Sequence, residues 1–422
     1  MRILFIHQNC PGQYKHLVTH LKADPKNDIV FISKPNGNTV SGIRRIDYKL
    51  HREPNPHIHH YLTGTESGVL HGQAVARALI ALKEKGWKPD IICAHPGWGE
   101  ALFVKDVFPD VPLLAFFEFF YHAEGADCGF DPMYPNTMDD YFRLRMKNTV
   151  NLLSLDSCDW GMSPTFWQRE VHPAVYQPKI SVTHDGVDTA LLTPKPDIRV
   201  TLPNGVTLSR DDEVITYVSR NLEPYRGFHV YMKALEEMCR RRPKAHFLMV
   251  GGDDVSYGRR LPDGKTYREE LLKEVKIDPD RVHFLGRIPY SSFVKVLQLS
   301  SAHVYLTYPF VLSWSMLEAM SAGCLVIGSS TRPVMEAIED GRNGLLVDFF
   351  SATGIADAVD RVLDHPDRMA DLRRAARQSI IDRYDLHSIC LPAQLGLIET
   401  LIAGRKPDLD LAAGKSPALT TS

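Results

Sequence analysis

Residues 308–323 read YPFVLSWSMLEAMSAG, and the pattern on both sides of this stretch predicts how the chain folds. An apolar run of strand length, Ala302 to Leu306, comes directly before it, and a second one, Cys324 to Ile327, comes directly after it. Gly323 suits the left-handed residue that commonly follows the end of a helix. We therefore predict a strand, a turn, a short helix and a second strand.

The start of the predicted helix is a candidate site for an anion. Ser313 or Ser315 can cap the helix, and the turn before it aims backbone N–H groups and the positive helix end at one point, where a phosphate fits. Glu318 lies further along the same helix, within reach of a sugar hydroxyl beside that phosphate. The alternative is an ordinary helix start with a surface glutamate.

The composition is that of a soluble globular protein of two domains. The chain has 422 residues, 44% of them hydrophobic and 24% charged, and its net charge of -2 favours no nucleic-acid partner. The seven cysteines are scattered without a CxxC pair, as in reduced cytosolic proteins. No apolar run has the length of a membrane span or of a signal-peptide core, so we expect a cytoplasmic protein.

The first half alternates strands and helices from its first residues. Ile3 to Ile6 predicts a buried strand, which leads through a polar turn at residues 7–13 into a helix. This is the start of a doubly wound parallel sheet, in which ligands bind at the carboxyl ends of the strands. Gly12 either lets a substrate approach the backbone closely or serves only the turn. Because it is the only glycine of this turn, the dinucleotide-binding fingerprint is absent.

Two later strand ends of this half carry polar side chains that suit catalysis or sugar binding. His95 and Gly97 follow one predicted strand, and Glu118 and His122 follow the next, Leu113 to Phe117. A carboxylate and an imidazole in this position are candidates for acid–base chemistry. In the alternative interpretation, Glu118 pairs with an arginine and His122 is an ordinary loop residue.

The sequence predicts no metal site. Four histidines lie between Pro35 and Leu62, but their spacing fits no compact set of ligands. Two Asp-x-Asp sequences, residues 278–280 and 408–410, lie in a predicted turn and in the predicted tail.

Between residues 190 and 212 the alternation stops, and Pro194, Pro196 and an Asn204-Gly205 turn predict a linker with a small hairpin. We place the boundary between the two domains in this segment.

The second half starts the alternation again. Arg220 and Arg226 follow its first predicted strand, and two guanidinium groups at one strand end suit a diphosphate. Either arginine alone is more often a surface ion-pair partner. Asp253 to Thr266 is a polar stretch, which we expect to be a mobile flap.

The C-terminal part is predicted to contain a helix that packs across both domains and a tail. The apolar helix runs from Ile389 to Ile402. Residues 386–403 thus follow domains 1–192 and 193–385 as a separate segment, and residues 404–422 have the composition of a disordered tail.

A basic run, Arg373, Arg374 and Arg377, precedes this segment. It predicts a solvated helix face, with peripheral membrane contact as the alternative.

These landmarks, in this order, resemble the retaining glycosyltransferases of family four. The resemblance covers residues 1–403 and rests on six short motifs: Asp185-Gly186-Val187-Asp188, Arg220 with Arg226-Gly227, Gly251-Gly252, Phe284-Leu285-Gly286, Leu317-Glu318-Ala319-Met320-Ser321-Ala322-Gly323 and Asp340-Gly341-Arg342-Asn343-Gly344. It implies the α/β fold called GT-B, which has two facing Rossmann-like domains, each a doubly wound parallel sheet, with a cleft between them.

The resemblance also implies a set of donor-binding residues. Arg220 and Arg226 would bind the diphosphate of a nucleotide sugar, Glu318 would contact the ribose, and the backbone near Arg287 and Ile288 would border the base. The complete implied set is Gly12, Arg220, Arg226, Gly252, Arg287, Ile288, Leu312, Ser313, Trp314, Ser315 and Glu318.

For the reaction, the resemblance implies electrostatic stabilisation without a protein nucleophile, and the leaving phosphate helps to deprotonate the acceptor. The family's histidine after the strand Leu113–Phe117 aligns best with Glu118, and His122 lies close by. The implied catalytic residues are Glu118, His122, Arg220 and Arg226, and the implied acceptor-side residues are His95, Gly97, Glu118 and His122.

One departure from the family pattern concerns the donor sugar. The first glutamate of the family's E-x7-E pattern, which normally contacts that sugar, is replaced by Phe310. The identity of the donor sugar is therefore left open, and we favour a UDP-hexose over GDP-mannose as the donor. The acceptor is also open, and Pro35–Leu62 and Gly125–Pro135 are the expected walls of its site.

The leading hypothesis is a retaining hexosyltransferase that uses a nucleotide sugar and an acceptor hydroxyl and needs no metal or cofactor. The alternative, motivated by Phe310, is a nucleotide-sugar-binding protein without turnover. A phosphorylase would need a pyridoxal lysine, for which the sequence offers no candidate. The oligomeric state stays open.

Overall fold

The computed structural model describes residues 1–38 and 40–411, which form two compact units. Met1–Gly186 and the chain from Leu386 onward make the first unit, and Val187–Asp385 make the second. The structure thus assigns residues 187–192 to the second unit and the segment that begins at residue 386 to the first.

The first unit is built on a sheet of seven parallel strands, with helices in the connections. The strands are β1 (Arg2–Ile6), β2 (Asp28–Ser33), β3 (Arg44–Asp47), β4 (Ile91–Ala94), β5 (Leu113–Phe116), β6 (Trp160–Ser163) and β7 (Ile180–Val182). The helices are α1 (Lys15–Leu21), α2 (Thr63–Glu84), α3 (Val104–Val107), α4 (Met138–Lys147), α5 (Thr149–Ser157) and α6 (Phe166–Glu170).

The strand order of this sheet is β3-β2-β1-β4-β5-β6-β7, with the first strand of the chain near the middle. Ile3 to Ile6 have no exposed surface, because a parallel sheet is covered on both faces by its crossover helices. The order makes β1, β4 and β5 neighbours. The residues that follow these three strands are therefore brought to one edge of the sheet.

The second unit has a hairpin and a second parallel sheet, of six strands. Its strands are β8 (Arg199–Thr201), β9 (Thr207–Ser209), β10 (Val214–Asn221), β11 (His246–Gly252), β12 (Val282–Gly286), β13 (Ala302–Tyr305), β14 (Leu325–Ser329) and β15 (Leu345–Val347). Its helices are α7 (Phe228–Arg241), α8 (Tyr267–Leu271), α9 (Tyr290–Leu299), α10 (Trp314–Ser321), α11 (Arg332–Met335), α12 (Ala352–Asp364) and α13 (Pro366–Tyr384).

Strands β10 to β15 lie in the order β12-β11-β10-β13-β14-β15, all parallel, which confirms the predicted doubly wound arrangement. Strands β8 and β9 pair antiparallel around Asn204-Gly205 and form the predicted hairpin.

Residues 302–329 fold as predicted, into β13, a turn, α10 and β14. Gly323 follows the helix with a φ of +83°, the left-handed conformation expected there. A Cβ at this position would lie 2.9 Å from Pro194, so the site also has no room for a side chain. Ser313 is the N-cap residue, but its hydroxyl bonds to the Ser315 hydroxyl at 2.9 Å instead of capping the helix.

The chain returns to the first unit after residue 385 through a π-helical turn, Leu386–Cys390, and helix α14 (Leu391–Ile402). Leu397 and Ile398 of α14 are buried in the core of this unit.

The beginning of the predicted disordered tail, residues 404–411, is ordered against β7. The Val182 N–H donates to the Leu409 carbonyl at 2.7 Å, and Arg169 pairs with Asp410 at 3.0 Å. Leu409 and Leu411 pack on the core. These two apolar contacts stabilise a segment whose overall composition is polar, so composition alone did not predict its order. Residues 412–422 lie outside the described part of the chain.

The basic run in α13 does not form the predicted solvated face. Arg377 donates to the carbonyls of Leu192 and Ser321, and Arg373 donates to the Ser301 carbonyl, so both guanidinium groups face their own unit. Only Arg374 of the three points to solvent, 72% exposed. Within residues 1–38 and 40–411, no helix has the length and apolar character that crossing a membrane requires.

Candidate functional site

In the first unit, polar side chains meet at the carboxyl edge of the sheet. His7 follows β1, His95 follows β4, and Glu118 lies just after β5. Because the three strands are neighbours, the His7 and His95 rings lie 4.9 Å apart, and His95 Nε2 lies 3.6 Å from Glu118 Oε2. The sheet order thus gathers one carboxylate and two imidazoles.

Glu118 is the accessible member of this group. Its side chain is 36% exposed, whereas that of His95 is only 3% exposed. Gln13 donates from Nε2 to Glu118 Oε1 at 3.2 Å. One carboxylate oxygen is therefore held by an amide, and the other faces an imidazole.

Backbone contacts fix where the two imidazoles carry their protons. The Asn9 N–H donates to His7 Nδ1 at 2.8 Å, and the Gly97 N–H donates to His95 Nδ1 at 3.2 Å. A ring nitrogen that accepts a hydrogen bond holds no proton, so the proton of each neutral ring lies on Nε2. In His95 that proton points toward Glu118.

Burial and mutual contact set the charges of this group. Burial lowers the pKa of His7 to about 3, and the nearby His95 imidazole acts in the same direction. For Glu118, burial alone would raise the pKa, but the N–H of His95 and the attraction of both imidazoles outweigh it and lower the pKa. At neutral pH, Glu118 is a carboxylate that accepts hydrogen bonds beside a neutral His7.

The two predicted glycines of this region lie against the imidazoles. A Cβ on Gly12, whose φ is +53°, would lie 2.5 Å from His7 Cε1. A Cβ on Gly97 would lie 2.7 Å from His95 Cε1. The close approach that these glycines permit is therefore made by the protein's own rings.

His122 is not part of the Glu118 group. Its Nε2 lies 2.5 Å from the Val171 carbonyl, to which it donates, and its ring packs against Phe120. His7 and Gln13, by contrast, were not among the predicted site residues. The available signal was their place after the first strand, equivalent to that of His95 after β4.

In the second unit, the two predicted arginines have different environments. Arg226 is 6% exposed, and its Nη1 donates to Tyr305 Oη at 3.0 Å, to Thr307 Oγ1 at 2.8 Å and to the Val311 carbonyl at 3.0 Å. Arg220 is exposed, and within the described part of the chain it makes no hydrogen bond or ion pair. Arg220 is therefore the arginine available to a ligand, and Arg226 holds the loop before α10.

Gly252 and Arg287 lie together at the ends of β11 and β12. Arg287 donates from Nη2 to Asn221 Oδ1 at 2.9 Å. A Cβ on Gly252 would lie 2.6 Å from Arg287 Nε and 2.7 Å from Asn221 Oδ1. A side chain at Gly252 would therefore displace Arg287, the residue predicted to border the nucleotide base.

Glu318 of α10 is joined to the start of α9. Tyr290 donates its hydroxyl to Glu318 Oε1 at 2.7 Å. Ile288, two residues before Tyr290, is partly buried against the core. The structure therefore brings the predicted ribose-binding carboxylate and the predicted border of the base to one place.

The start of α10 offers a ligand fewer backbone N–H groups than the sequence predicts. The Ser313 N–H donates to Tyr305 Oη at 2.8 Å, so it is already used within the fold. Leu312 and Ser315 are buried, whereas the Trp314 side chain is 41% exposed.

The stretch predicted to be a mobile flap is anchored at its beginning. Glu223, fully buried, accepts the N–H groups of Ser256, Tyr257 and Gly258, each at 3.0 Å. Tyr257 then lies with its ring 5.4 Å from the guanidinium carbon of Arg226. A buried carboxylate with three backbone donors holds a loop firmly.

Phe310, which stands where the family has a glutamate, belongs to an aromatic cluster. It is 5% exposed, and its ring lies 5.0 Å from that of Tyr257 and 5.4 Å from that of Tyr225. Tyr308 packs on Tyr225 at 4.7 Å. An aromatic wall thus replaces a charged group at this position.

Two family models match the chain, one in each half. The model described as Glycosyl transferase family 4 group matches residues 25–192, and the model described as Glycosyl transferases group 1 matches residues 203–379.

Curated relatives are also glycosyltransferases. D-inositol 3-phosphate glycosyltransferase of Corynebacterium aurimucosum is 29% identical over 200 residues, which are 47% of this chain and 46% of the relative. The match thus spans less than half the length of that relative. Glycogen synthase of Mycobacterium tuberculosis is 23% identical over 422 residues, 92% of each chain.

Solved structures share the fold. Sucrose-phosphate synthase from Thermosynechococcus elongatus superposes with a TM-score of 0.70 at 18% identity over 96% of this chain and 100% of the other. Anabaena HepE in complex with UDP-glucose superposes with a TM-score of 0.64 at 16% identity over 96% of this chain and 98% of the other. With two parallel-sheet units and a family match in each half, the chain belongs to the family four, group 1 glycosyltransferases of the GT-B fold.

Proposed function

We propose that this protein transfers a hexose, with retention of configuration, from a UDP-sugar to an acceptor hydroxyl, without a metal ion. The observation that carries the proposal is the state of Glu118: an ionised, partly exposed carboxylate held by Gln13 and faced by the N–H of His95. Such a group accepts a hydrogen bond from a sugar hydroxyl and orients it.

The donor would bind to the second unit. Arg220 is an exposed cation for the diphosphate, and the Glu318 carboxylate, whose Oε1 accepts from the Tyr290 hydroxyl, would bind the ribose. Arg287 borders the base. The complex of HepE with UDP-glucose supports uridine as the base.

In the proposed reaction, the bond between the sugar C1 and the diphosphate oxygen breaks, and the acceptor oxygen bonds to C1 from the same face. The acceptor proton passes to the departing phosphate oxygen. Arg220 and the start of α10 stabilise the charge that develops on the diphosphate, which is the main contribution that a protein makes to such a transfer.

The test is transfer from UDP-glucose, UDP-galactose, UDP-N-acetylglucosamine, ADP-glucose and GDP-mannose to a panel of polyols, sugars and sugar phosphates, with and without EDTA. We expect one UDP-sugar to be used, the α-linkage of the donor to be kept in the product by NMR, and EDTA to change nothing. Glu118→Gln, which keeps the shape, should transfer at least ten times more slowly. An inverted product or loss of activity with EDTA would contradict the proposal.

The second candidate is a binding protein for nucleotide sugars that performs no transfer. Phe310 favours it, because the aromatic cluster leaves no carboxylate at the position that would contact the sugar. Calorimetry with the same donors distinguishes the two: tight binding without transfer to any acceptor, and without hydrolysis, would select this candidate.

A further inference from the structure

Glu118 is held through Oε1, whereas His95 faces Oε2, by a chain of hydrogen bonds with a fixed direction. The Asn9 N–H donates to His7 Nδ1, and His7 Nε2 lies 2.5 Å from Gln13 Oε1. Gln13 Nε2 in turn lies 3.2 Å from Glu118 Oε1.

The direction follows from the first contact. Because His7 Nδ1 accepts from the backbone, the proton of the neutral ring is on Nε2, and this nitrogen must donate to Gln13 Oε1. The amide of Gln13 is thereby oriented with its oxygen toward His7 and its N–H groups toward Glu118. With the opposite tautomer of His7, the amide would turn its oxygen toward a carboxylate.

We propose that His7 and Gln13 are positioning residues for the transfer reaction, which together fix the Glu118 carboxylate and aim it at the substrate hydroxyl. This inference rests on the proposed function. His7 orients the amide of Gln13, and Gln13 in turn orients Glu118. Neither residue is needed to contact the substrate.

Titratable groups from neighbouring strand ends surround this arrangement. The titratable groups facing Glu118 are His7 from the end of β1 and His95 from the end of β4. Tyr14 packs edge-on against the His7 ring at 6.1 Å. Behind His95 lies Glu100, which is buried and bonded to the Tyr48 hydroxyl, and burial raises the pKa of this carboxyl.

The first experiment needs no substrate. Imidazole ¹⁵N chemical shifts of the full-length protein, assigned with His7→Asn, should show the His7 ring as a neutral Nε2–H tautomer at pH 7. An Nδ1–H tautomer of His7 would reverse the direction of the chain, and an imidazolium could not accept the Asn9 N–H, so either result would overturn the proposal.

The second experiment separates positioning from folding. Gln13→Ala should lower kcat by about 10- to 100-fold at unchanged donor KM, because one hydrogen bond to a charged group is lost. The acidic limb of its pH–kcat profile should move upward by about one pH unit, because Glu118 loses a donor that favours its ionised form. Gln8→Ala is the matched control from the same turn and should behave like the unchanged protein.

Gln13→Glu adds a test by rescue. The protonated glutamic acid resembles glutamine, whereas its carboxylate repels Glu118, so the kcat of this variant should rise toward that of the unchanged protein as pH falls. An equal loss at every pH in both Gln13 variants would show a merely structural role and overturn the proposal. If the unchanged protein transfers no sugar, the proposed function fails and the positioning role with it, while the tautomers still report on the hydrogen-bond chain.

Discussion

Tyr290 donates its hydroxyl to Glu318 Oε1 at 2.7 Å and so joins the first residue of α9 to the middle of α10. The contact restricts the rotamer of the Glu318 carboxylate. A glutamate held in this way loses less side-chain entropy on binding than a free one.

From this contact we predict that Tyr290→Phe weakens UDP binding by about five- to tenfold, the effect of one hydrogen bond of about 1 kcal/mol. Isothermal calorimetry measures it, with Ser291→Ala, an exposed neighbour on the same helix, as control. Unchanged UDP affinity in Tyr290→Phe would show that the contact between Tyr290 and Glu318 does not contribute to nucleotide binding.

Arg220→Ala should weaken donor binding by about 10- to 100-fold, because it removes a charge-assisted hydrogen bond to the diphosphate. The melting temperature without ligand should stay within a degree or two, because Arg220 is exposed and makes no hydrogen bond or ion pair in residues 1–38 and 40–411. Comparison of UDP with uridine locates the effect: if the variant loses as much affinity for uridine as for UDP, Arg220 does not bind the diphosphate.

Arg226→Ala should instead destabilise the fold. Its guanidinium is buried and donates hydrogen bonds to Tyr305 Oη, to Thr307 Oγ1 and to the Val311 carbonyl. Removing it takes this donor from Thr307 and from the Val311 carbonyl, while Tyr305 keeps the Ser313 N–H, and the expected cost is about 3 kcal/mol in the free energy of unfolding. Urea denaturation, with Arg220→Ala as the matched arginine control, tests this, and equal midpoints for the two variants would contradict it.

The parts of the fold that the sequence predicted are those with local signals. Strand β13, helix α10 and strand β14 were predicted from two apolar runs and Gly323, and all three are confirmed. These signals act over a few residues, so no knowledge of the tertiary structure is needed to interpret them.

The site residues that escaped prediction depend on long-range order. Gln13 meets Glu118 across 105 residues, because β1 and β5 are separated only by β4 in the sheet. The anchoring of the stretch after β11 was not predicted for the same reason. The polar composition of this stretch predicts a flap, but Glu223, 33 residues before Ser256, accepts its N–H groups. Composition alone does not show which buried carboxylate a loop will find.

That anchor gives the next prediction. Glu223→Gln replaces an acceptor-only carboxylate by a neutral amide, so at least one of the three N–H groups faces the amide NH2 and loses its acceptor, at a cost of about 1.5–3 kcal/mol. Hydrogen exchange at Ser256, Tyr257 and Gly258 should become faster in this variant. Glu236→Gln, on helix α7 of the same unit, is the control, and unchanged exchange in Glu223→Gln would show that the loop is held by its aromatic contacts instead.

The last prediction concerns His303, a fully buried histidine of β13 whose Nδ1 lies 2.8 Å from Thr216 Oγ1. Burial lowers its pKa from 6.5 to about 3 in the folded protein. Because the unfolded chain takes up the proton first, the stability that the neutral ring provides is complete above about pH 6.5 and is lost as pH falls from there toward 3. At pH 5 this single site has lowered the free energy of unfolding by about 2 kcal/mol.

The difference in unfolding free energy between the unchanged protein and His303→Gln should therefore shrink by about that amount between pH 7.5 and pH 5. Urea denaturation at both pH values measures it, with His365→Gln, at an exposed position of the same unit, as control. A difference that stays constant with pH would mean that His303 is protonated equally in the folded and unfolded chains.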